Sequence, residues 1–127
     1  AGLARYNRDL GLAPIAVPNS PHTADLILKR YHPGGAERFQ VHFDSINQVA
    51  DRYLVFLWYL NDVAVGGETE FPQLDLRIAP RAGRLLMFPP YWMFQHGGLP
   101  PHSGDKYILS TYLLFPGQQA LGRDQTR

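Results

Sequence analysis

Two residues in the first half of the chain could hold a metal ion together. His42 and Asp44 are separated by one residue, and in a β-strand side chains at that spacing point to the same face. Two imidazoles and a carboxylate on one triangular face of an octahedron suit Fe(II) and leave positions open for substrate and oxygen. The pair alone is weak evidence, because five His and eight Asp give about 0.3 such pairs by chance. A solvated histidine followed by a turn aspartate is the ordinary alternative.

A lysine opens the last apolar segment, in which alternate residues share one face of a predicted strand: Lys106, Ile108, Ser110 and Tyr112. If that face is turned to the interior, the ammonium needs an anionic partner, because burying an unpaired charge is costly. Most lysines face water instead, so the pattern alone leaves both arrangements open.

The segments that would position these side chains have the pattern of short strands separated by turns. Few Glu and Lys residues, with 12 Gly and 11 Pro, disfavour long helices, although a short helix is possible at 2–10. Strands are predicted at 26–31, 38–44, 52–60, 68–71, 74–79, 84–88, 93–97 and 106–115. Eight such strands indicate an all-β fold, a double-stranded β-helix or cupin-like jelly roll, with a sandwich of other topology as the alternative.

Length and composition predict a single domain over residues 1–127, with a core at about 26–115 and a polar tail at 116–127. A net charge of +1 gives no reason to propose nucleic acid or an anionic membrane as a partner. The absence of cysteine excludes disulfides, thiolate metal sites and a cysteine nucleophile. The longest apolar run, 53–60, is far shorter than the ~20 residues of a membrane helix. These features, without a signal-like segment, predict a cytoplasmic protein.

Four further blocks follow the His42-x-Asp44 pair in a fixed order. They are Tyr59-Leu-Asn-Asp-Val-Ala-Val-Gly-Gly-Glu-Thr-Glu-Phe-Pro72, Arg84-Leu-Leu-Met-Phe-Pro89, His96-Gly-Gly-Leu-Pro100 and Gly104-Asp-Lys-Tyr107. From about residue 26 to 115, this order and spacing resemble the catalytic core of the prolyl 4-hydroxylase-like Fe(II)- and 2-oxoglutarate-dependent dioxygenases. Several blocks in order are much stronger evidence than any one of them.

The resemblance implies that His42, Asp44 and His96 hold Fe(II). It selects His96 over His102, because the family's basic residue stands ten positions after the distal histidine, where Lys106 lies. Lys106 would then bind the far carboxylate of 2-oxoglutarate. Three more residues match positions near the co-substrate: Tyr59, Thr69 and Tyr31. The implied reaction uses O2, releases succinate and CO2, and is expected to need ascorbate as reductant.

The same resemblance makes a prolyl residue in a peptide or protein the expected substrate. Arg52 begins a strand beside the expected mouth, and Tyr112 stands where the family often has tryptophan, six residues after the lysine. Trp92 belongs to an aromatic rim near His96 and fits the core equally well. Two alternatives remain, a small-molecule hydroxylase of the same superfamily and a non-catalytic metal-binding jelly-roll module. A zinc hydrolase is disfavoured, because no glutamate lies in a motif typical of a general base.

Overall fold

The structure, a computed structural model, describes residues 1–11, 16–34, 44–45 and 50–115. One α-helix, α1, covers Gly2–Leu10 of these residues. The strands among them are Ile27–Tyr31 (β1), Arg52–Tyr59 (β2), Thr69–Phe71 (β3), Leu76–Ile78 (β4), Leu85–Phe88 (β5), Gly97–Gly98 (β6) and Lys106–Leu114 (β7). Two 3-10 turns, Pro72–Leu74 and Trp92–Phe94, lie between them. None of the helices in these ranges has the length and apolar character needed to cross a membrane.

The strands form two antiparallel sheets. The larger has the order β1-β7-β2-β5 and the smaller the order β4-β3-β6. In the larger sheet Tyr31 lies opposite Lys106, and Tyr59 lies opposite Ile108. Because cross-strand partners share a face and alternate residues do too, these four side chains point to one side of the sheet.

That side of the sheet is the inner face, which packs against the smaller sheet. Val55 of β2, Phe71 of β3 and Phe88 of β5 form one buried cluster, with the rings of Phe71 and Phe88 edge to face at 5.0 Å. On the outer face, Leu3 and Tyr6 of α1 pack against a second buried cluster. The expected all-β jelly roll with a short N-terminal helix is therefore confirmed.

Two of the predicted strands need correction. The segment predicted at 93–97 contains a 3-10 turn, in which the Phe94 amide donates to the Tyr91 carbonyl at 2.9 Å, and the strand that follows covers only Gly97–Gly98. The strand predicted at 74–79 starts at Leu76, because Pro72 begins a 3-10 turn that ends with Asp75 at a φ of 49°. The predicted strand at 38–44, apart from Asp44, and the tail at 116–127 lie outside the described residues.

Candidate metal and co-substrate site

A cavity opens between the two sheets, and six of the residues singled out from sequence line it: Tyr31, Asp44, Thr69, His96, Lys106 and Tyr112. One wall consists of the residues that the alternating pattern placed on one face of β7: Lys106, Ile108, Ser110 and Tyr112. Asp44 and His96 lie in one part of the cavity, and Lys106 supplies a separate cationic group.

Asp44 and His96 approach each other from different parts of the chain. His96 Nε2 lies 3.3 Å from Asp44 Oδ2, and each residue is only 8% exposed. The Pro90 carbonyl accepts the amides of Asp44 and Ser45, at 3.0 and 2.9 Å, which fixes the backbone of the aspartate. Two neighbouring ligands, each about 2.1 Å from an octahedral ion, lie about 3.0 Å apart, so this pair has the spacing of two metal ligands.

The surroundings of His96 favour the protonation state that a metal ligand needs. Its Nδ1 lies 3.0 Å from the Phe94 carbonyl, which can only accept, so a proton on Nδ1 satisfies that contact and leaves Nε2, which faces Asp44, as the nitrogen available to a metal. Phe88 packs edge to face on the imidazole at 4.8 Å, and Phe71 lies at 5.7 Å. These rings hold the imidazole in place and shield it from water.

The third expected ligand, His42, lies outside the described residues. Within the described ranges, no group of three or more His, Cys, Asp or Glu side chains is placed to hold a metal. The other histidines of those ranges are exposed and do not line the cavity: His22, His32 and His102. His32 instead lies 3.3 Å from Asp105 at the surface. The imidazole and carboxylate that are described have the donor chemistry that suits Fe(II).

Lys106 is a buried cation. It is 3% exposed, and its Nζ lies 5.2 Å from the centre of the Tyr31 ring and 5.8 Å from that of Tyr59. Burial lowers the pKa of Lys106 to about 8, and the negative charge of Glu68 partly counteracts this. An ammonium in such a place favours an anionic guest.

Glycines leave the space through which the Lys106 side chain runs. A Cβ at Gly67 would lie 3.4 Å from Lys106 Cδ, and one at Gly98 would lie 3.7 Å from Nζ. Gly67 has a φ of +76°, which glycine adopts without the strain that other residues incur. The ammonium therefore reaches the cavity between two stretches of backbone.

Hydroxyl groups surround the end of the cavity at Lys106. Thr69 Oγ1 and the Tyr59 hydroxyl are hydrogen bonded at 2.5 Å, and both residues are buried. Thr69 and Tyr31 line the cavity, whereas Tyr59 reaches it through Thr69. Burial raises the pKa of Tyr59 to about 12 and also raises that of Tyr31, so both phenols stay protonated near neutral pH. Neutral hydroxyls beside an ammonium are suited to binding a carboxylate.

The three candidate substrate contacts have different positions. Tyr112 lines the cavity, and burial, together with the charge and a hydrogen bond of Asp44, raises its pKa to about 12. The guanidinium of Arg52 lies 4.0 Å above the Tyr112 ring. Trp92 is 64% exposed in its 3-10 turn, so the alternative that placed it in the core is wrong.

One charged residue of the cavity was missed from sequence. Lys29 lines the cavity two residues before Tyr31, on the same face of β1. The alternation that brings Tyr31 inward would have indicated it, but the apolar neighbours Leu26, Ile27 and Leu28 obscure the pattern.

The chain thus has a cupin-like jelly-roll fold in which a carboxylate and an imidazole lie together near a buried lysine. Comparison with known proteins identifies the family. Residues 26–114 match the 2OG-Fe(II) oxygenase superfamily. The chain belongs to that superfamily.

Several similar proteins are named as prolyl hydroxylases. "Probable prolyl 4-hydroxylase 9" of Arabidopsis thaliana is 28% identical over 76% of this chain and 42% of its own length. The viral collagen prolyl hydroxylase of Paramecium bursaria Chlorella virus-1, in its 2-oxoglutarate complex, is 29% identical with a TM-score of 0.64, over 73% of this chain and 59% of that one. A prolyl 4-hydroxylase of Phytophthora capsici is 30% identical with a TM-score of 0.61, over 72% and 32%. This chain thus spans less than half of the Arabidopsis relative.

Proposed function

We propose that this chain is an Fe(II)- and 2-oxoglutarate-dependent dioxygenase that hydroxylates a prolyl residue of a peptide or protein, releasing succinate and CO2. The observation that carries the proposal is a single cavity lined by the Asp44 and His96 pair and by the buried ammonium of Lys106. Metal binding alone would not explain that lysine, because burying an ammonium is costly unless an anion pairs with it.

His42, Asp44 and His96 would hold the iron. Bound Fe(II) supplies the redox chemistry that couples decarboxylation of 2-oxoglutarate by O2 to oxygenation of a C–H bond. Ascorbate would keep the metal ferrous between turnovers. The role of the chain is to hold ligands on one side of the ion and leave the other side open.

The remaining residues orient the co-substrate. Lys106 would form an ion pair with its far carboxylate, while Thr69 and Tyr31 donate hydroxyl hydrogens to the same group. Tyr59 positions Thr69 through their shared hydrogen bond. The aromatic rings of Phe71 and Phe88 beside His96 exclude water from that part of the cavity.

A prolyl substrate is proposed because the similar proteins are named as prolyl hydroxylases. Arg52, Trp92 and Tyr112 are the proposed contacts with it. Arg52 and Tyr112 stand beside Asp44, and the exposed indole of Trp92 offers an apolar surface for a peptide. A proline ring held there would lie close to the metal ligands.

The test is incubation with Fe(II), 2-oxoglutarate and ascorbate, under air and under nitrogen. Succinate should form under air only, and proline-containing peptides should gain one oxygen atom by mass spectrometry. The His96→Ala variant serves as the inactive control. No succinate from the folded wild-type protein would reject the activity, whereas succinate without any oxidised proline compound would reject only the substrate.

A further inference from the structure

The main chain on both sides of Lys106 is bound by one side chain, that of Asn61. Its Nδ2 donates to the Asp105 carbonyl at 2.7 Å, and its Oδ1 accepts the Tyr107 amide at 2.9 Å. These partners fix the orientation of the side-chain amide, because a carbonyl only accepts and an N–H only donates. The two hydrogen bonds, called the Asn61 clamp below, thus hold the residues immediately before and after Lys106.

The clamp continues the sheet past the end of β2. That strand ends at Tyr59, opposite Ile108, and the next amide, of Leu60, donates to the Tyr107 carbonyl at 3.0 Å. Among the described residues, no main-chain group on the β2 side bonds to β7 beyond this point. The side chain of Asn61 carries the donor and acceptor of a peptide group, so it takes the place of the missing strand partner.

Fixing this stretch of main chain also fixes the direction of the Lys106 side chain. The amide and carbonyl of Tyr107 face β2, so those of Lys106 face β1, where it lies opposite Tyr31. In a pleated strand held in this way, the side chain of Lys106 is left on the inner face, in the cavity wall.

Without such a restraint the empty cavity would not keep this side chain. Lys106 is the first residue of β7, and strand ends open more easily than strand interiors. Its ammonium is 3% exposed, and burying an ammonium is unfavourable until an anion pairs with it. Before co-substrate arrives, both effects favour a lysine turned to water, and the Asn61 clamp opposes both.

We propose that Asn61 is a positioning residue, which clamps the main chain around Lys106 and keeps the ammonium inside the cavity before 2-oxoglutarate binds. The inference rests on the proposed function for the identity of the anion. Asn61 does not line the cavity, so its effect on binding passes through Lys106. The apparent Kd is then the intrinsic Kd divided by the fraction of molecules whose lysine points inward.

A second asparagine with the same arrangement provides the matched control. Asn7 Nδ2 donates to the Val17 carbonyl at 2.9 Å, and its Oδ1 accepts the Val17 amide at 2.8 Å. Both asparagines are half-buried, but Asn7 lies on α1 and outside the cavity wall. Asn61→Ala and Asn7→Ala each remove two side-chain hydrogen bonds to main chain, so both should lower the urea midpoint of unfolding by a similar amount.

Calorimetry on the Mn(II)-loaded protein separates the two variants. Asn61→Ala should raise the Kd of 2-oxoglutarate by about 5- to 50-fold, because fewer molecules hold the lysine inward. Asn7→Ala should change this Kd by less than about two-fold. Equal increases in both variants would mean that loss of stability causes the effect, and would overturn the inference.

The position of the lysine can also be followed without co-substrate. In zinc-loaded protein carrying [13Cε]lysine, the Lys106 signal can be assigned by its loss in Lys106→Arg. Its pKa should be about 8 in the wild type and should stay there in Asn7→Ala. In Asn61→Ala the pKa should rise toward the ~10.4 of an exposed lysine, since burial of the ammonium is relieved. The same Lys106 pKa in Asn61→Ala and wild type would overturn the inference.

The inference and the proposed function fail in different ways. If wild-type protein binds 2-oxoglutarate and forms succinate, but Asn61→Ala binds 2-oxoglutarate equally well, the inference fails and the proposed function stands. If folded wild-type protein binds no 2-oxoglutarate and forms no succinate, the proposed function fails.

Discussion

Under the proposed function, the lowered pKa of Lys106 should make binding of 2-oxoglutarate depend on pH in the alkaline range. The ion pair with the far carboxylate requires the ammonium, which is the form present below the pKa of about 8. Roughly 90% of the lysine is charged at about pH 7 and roughly 10% at about pH 9. The dianion binds the charged form, so its apparent Kd should rise about ten-fold between these two pH values.

Calorimetry of 2-oxoglutarate binding to the Mn(II)-loaded protein measures this dependence. Lys106→Arg is the informative control, since a guanidinium stays charged throughout, and its Kd should be nearly independent of pH whatever its absolute value. Lys106→Ala should weaken binding by ~2–5 kcal/mol, about 30-fold to several thousand-fold, with little change in metal affinity.

Two results would refute this reasoning. The same pH slope in wild type and Lys106→Arg would mean that another group titrates. Equal binding of 2-oxoglutarate by wild type and Lys106→Ala would remove this lysine from the site altogether.

Two further variant sets test the proposed ligands and the loop beside Lys106. Alanine at any one proposed ligand should abolish iron-dependent succinate formation, because two remaining ligands hold Fe(II) poorly, while alanine at the exposed histidines should keep most of it. The proposed ligands are His42, Asp44 and His96, and the controls are His22 and His102. An active His96→Ala variant together with an inactive His102→Ala variant would show that His102, and not His96, is the ligand. Gly66→Ala should lower the free energy of unfolding by about 2–4 kcal/mol in urea, because its φ is +79° and the new Cβ would lie 2.5 Å from the Pro100 carbonyl oxygen. Gly83→Ala, at a φ of +82° with open space around it, should lower the free energy of unfolding by only about 1–2 kcal/mol. Equal losses in the two variants would show that the backbone at Gly66 shifts and removes the close contact.

The shared face of Lys106, Ile108 and Ser110 could be predicted because alternate residues of a strand point to one side. Burial follows this period of two from Lys106 to Ser110 and then breaks at the buried Thr111. The same rule brings Tyr31 to the inner side of β1. The contact between Asp44 and His96 joins residues 52 positions apart, so no local pattern contains it. That prediction depended on the resemblance to a family, and the roles of these residues stay predictions.

Local sequence patterns gave wrong strand predictions where the backbone turns. The segment around Trp92 is rich in aromatic residues, which favour strands, yet Pro90 lacks an amide for a ladder and the Phe94 amide bonds within its own turn. Lys29 was missed because apolar and charged residues follow one another on β1 without clear alternation. Whether a lysine at such a position faces water or a cavity depends on the strands beside it, which only the folded chain reveals.

The length of β7 limits how the size of the accepted substrate can change. Its inward side chains stand about 7 Å apart, so Lys106 and Tyr112 are separated by about 20 Å of strand. Under the proposed function, 2-oxoglutarate would bind at the Lys106 end of the strand and the second substrate at the Tyr112 end. One inserted residue would turn every later side chain to the outer face. Substitutions at Ser110 or Tyr112 leave the spacing along β7 unchanged. Substrate preference can therefore change more readily through substituted side chains than through a change in strand length.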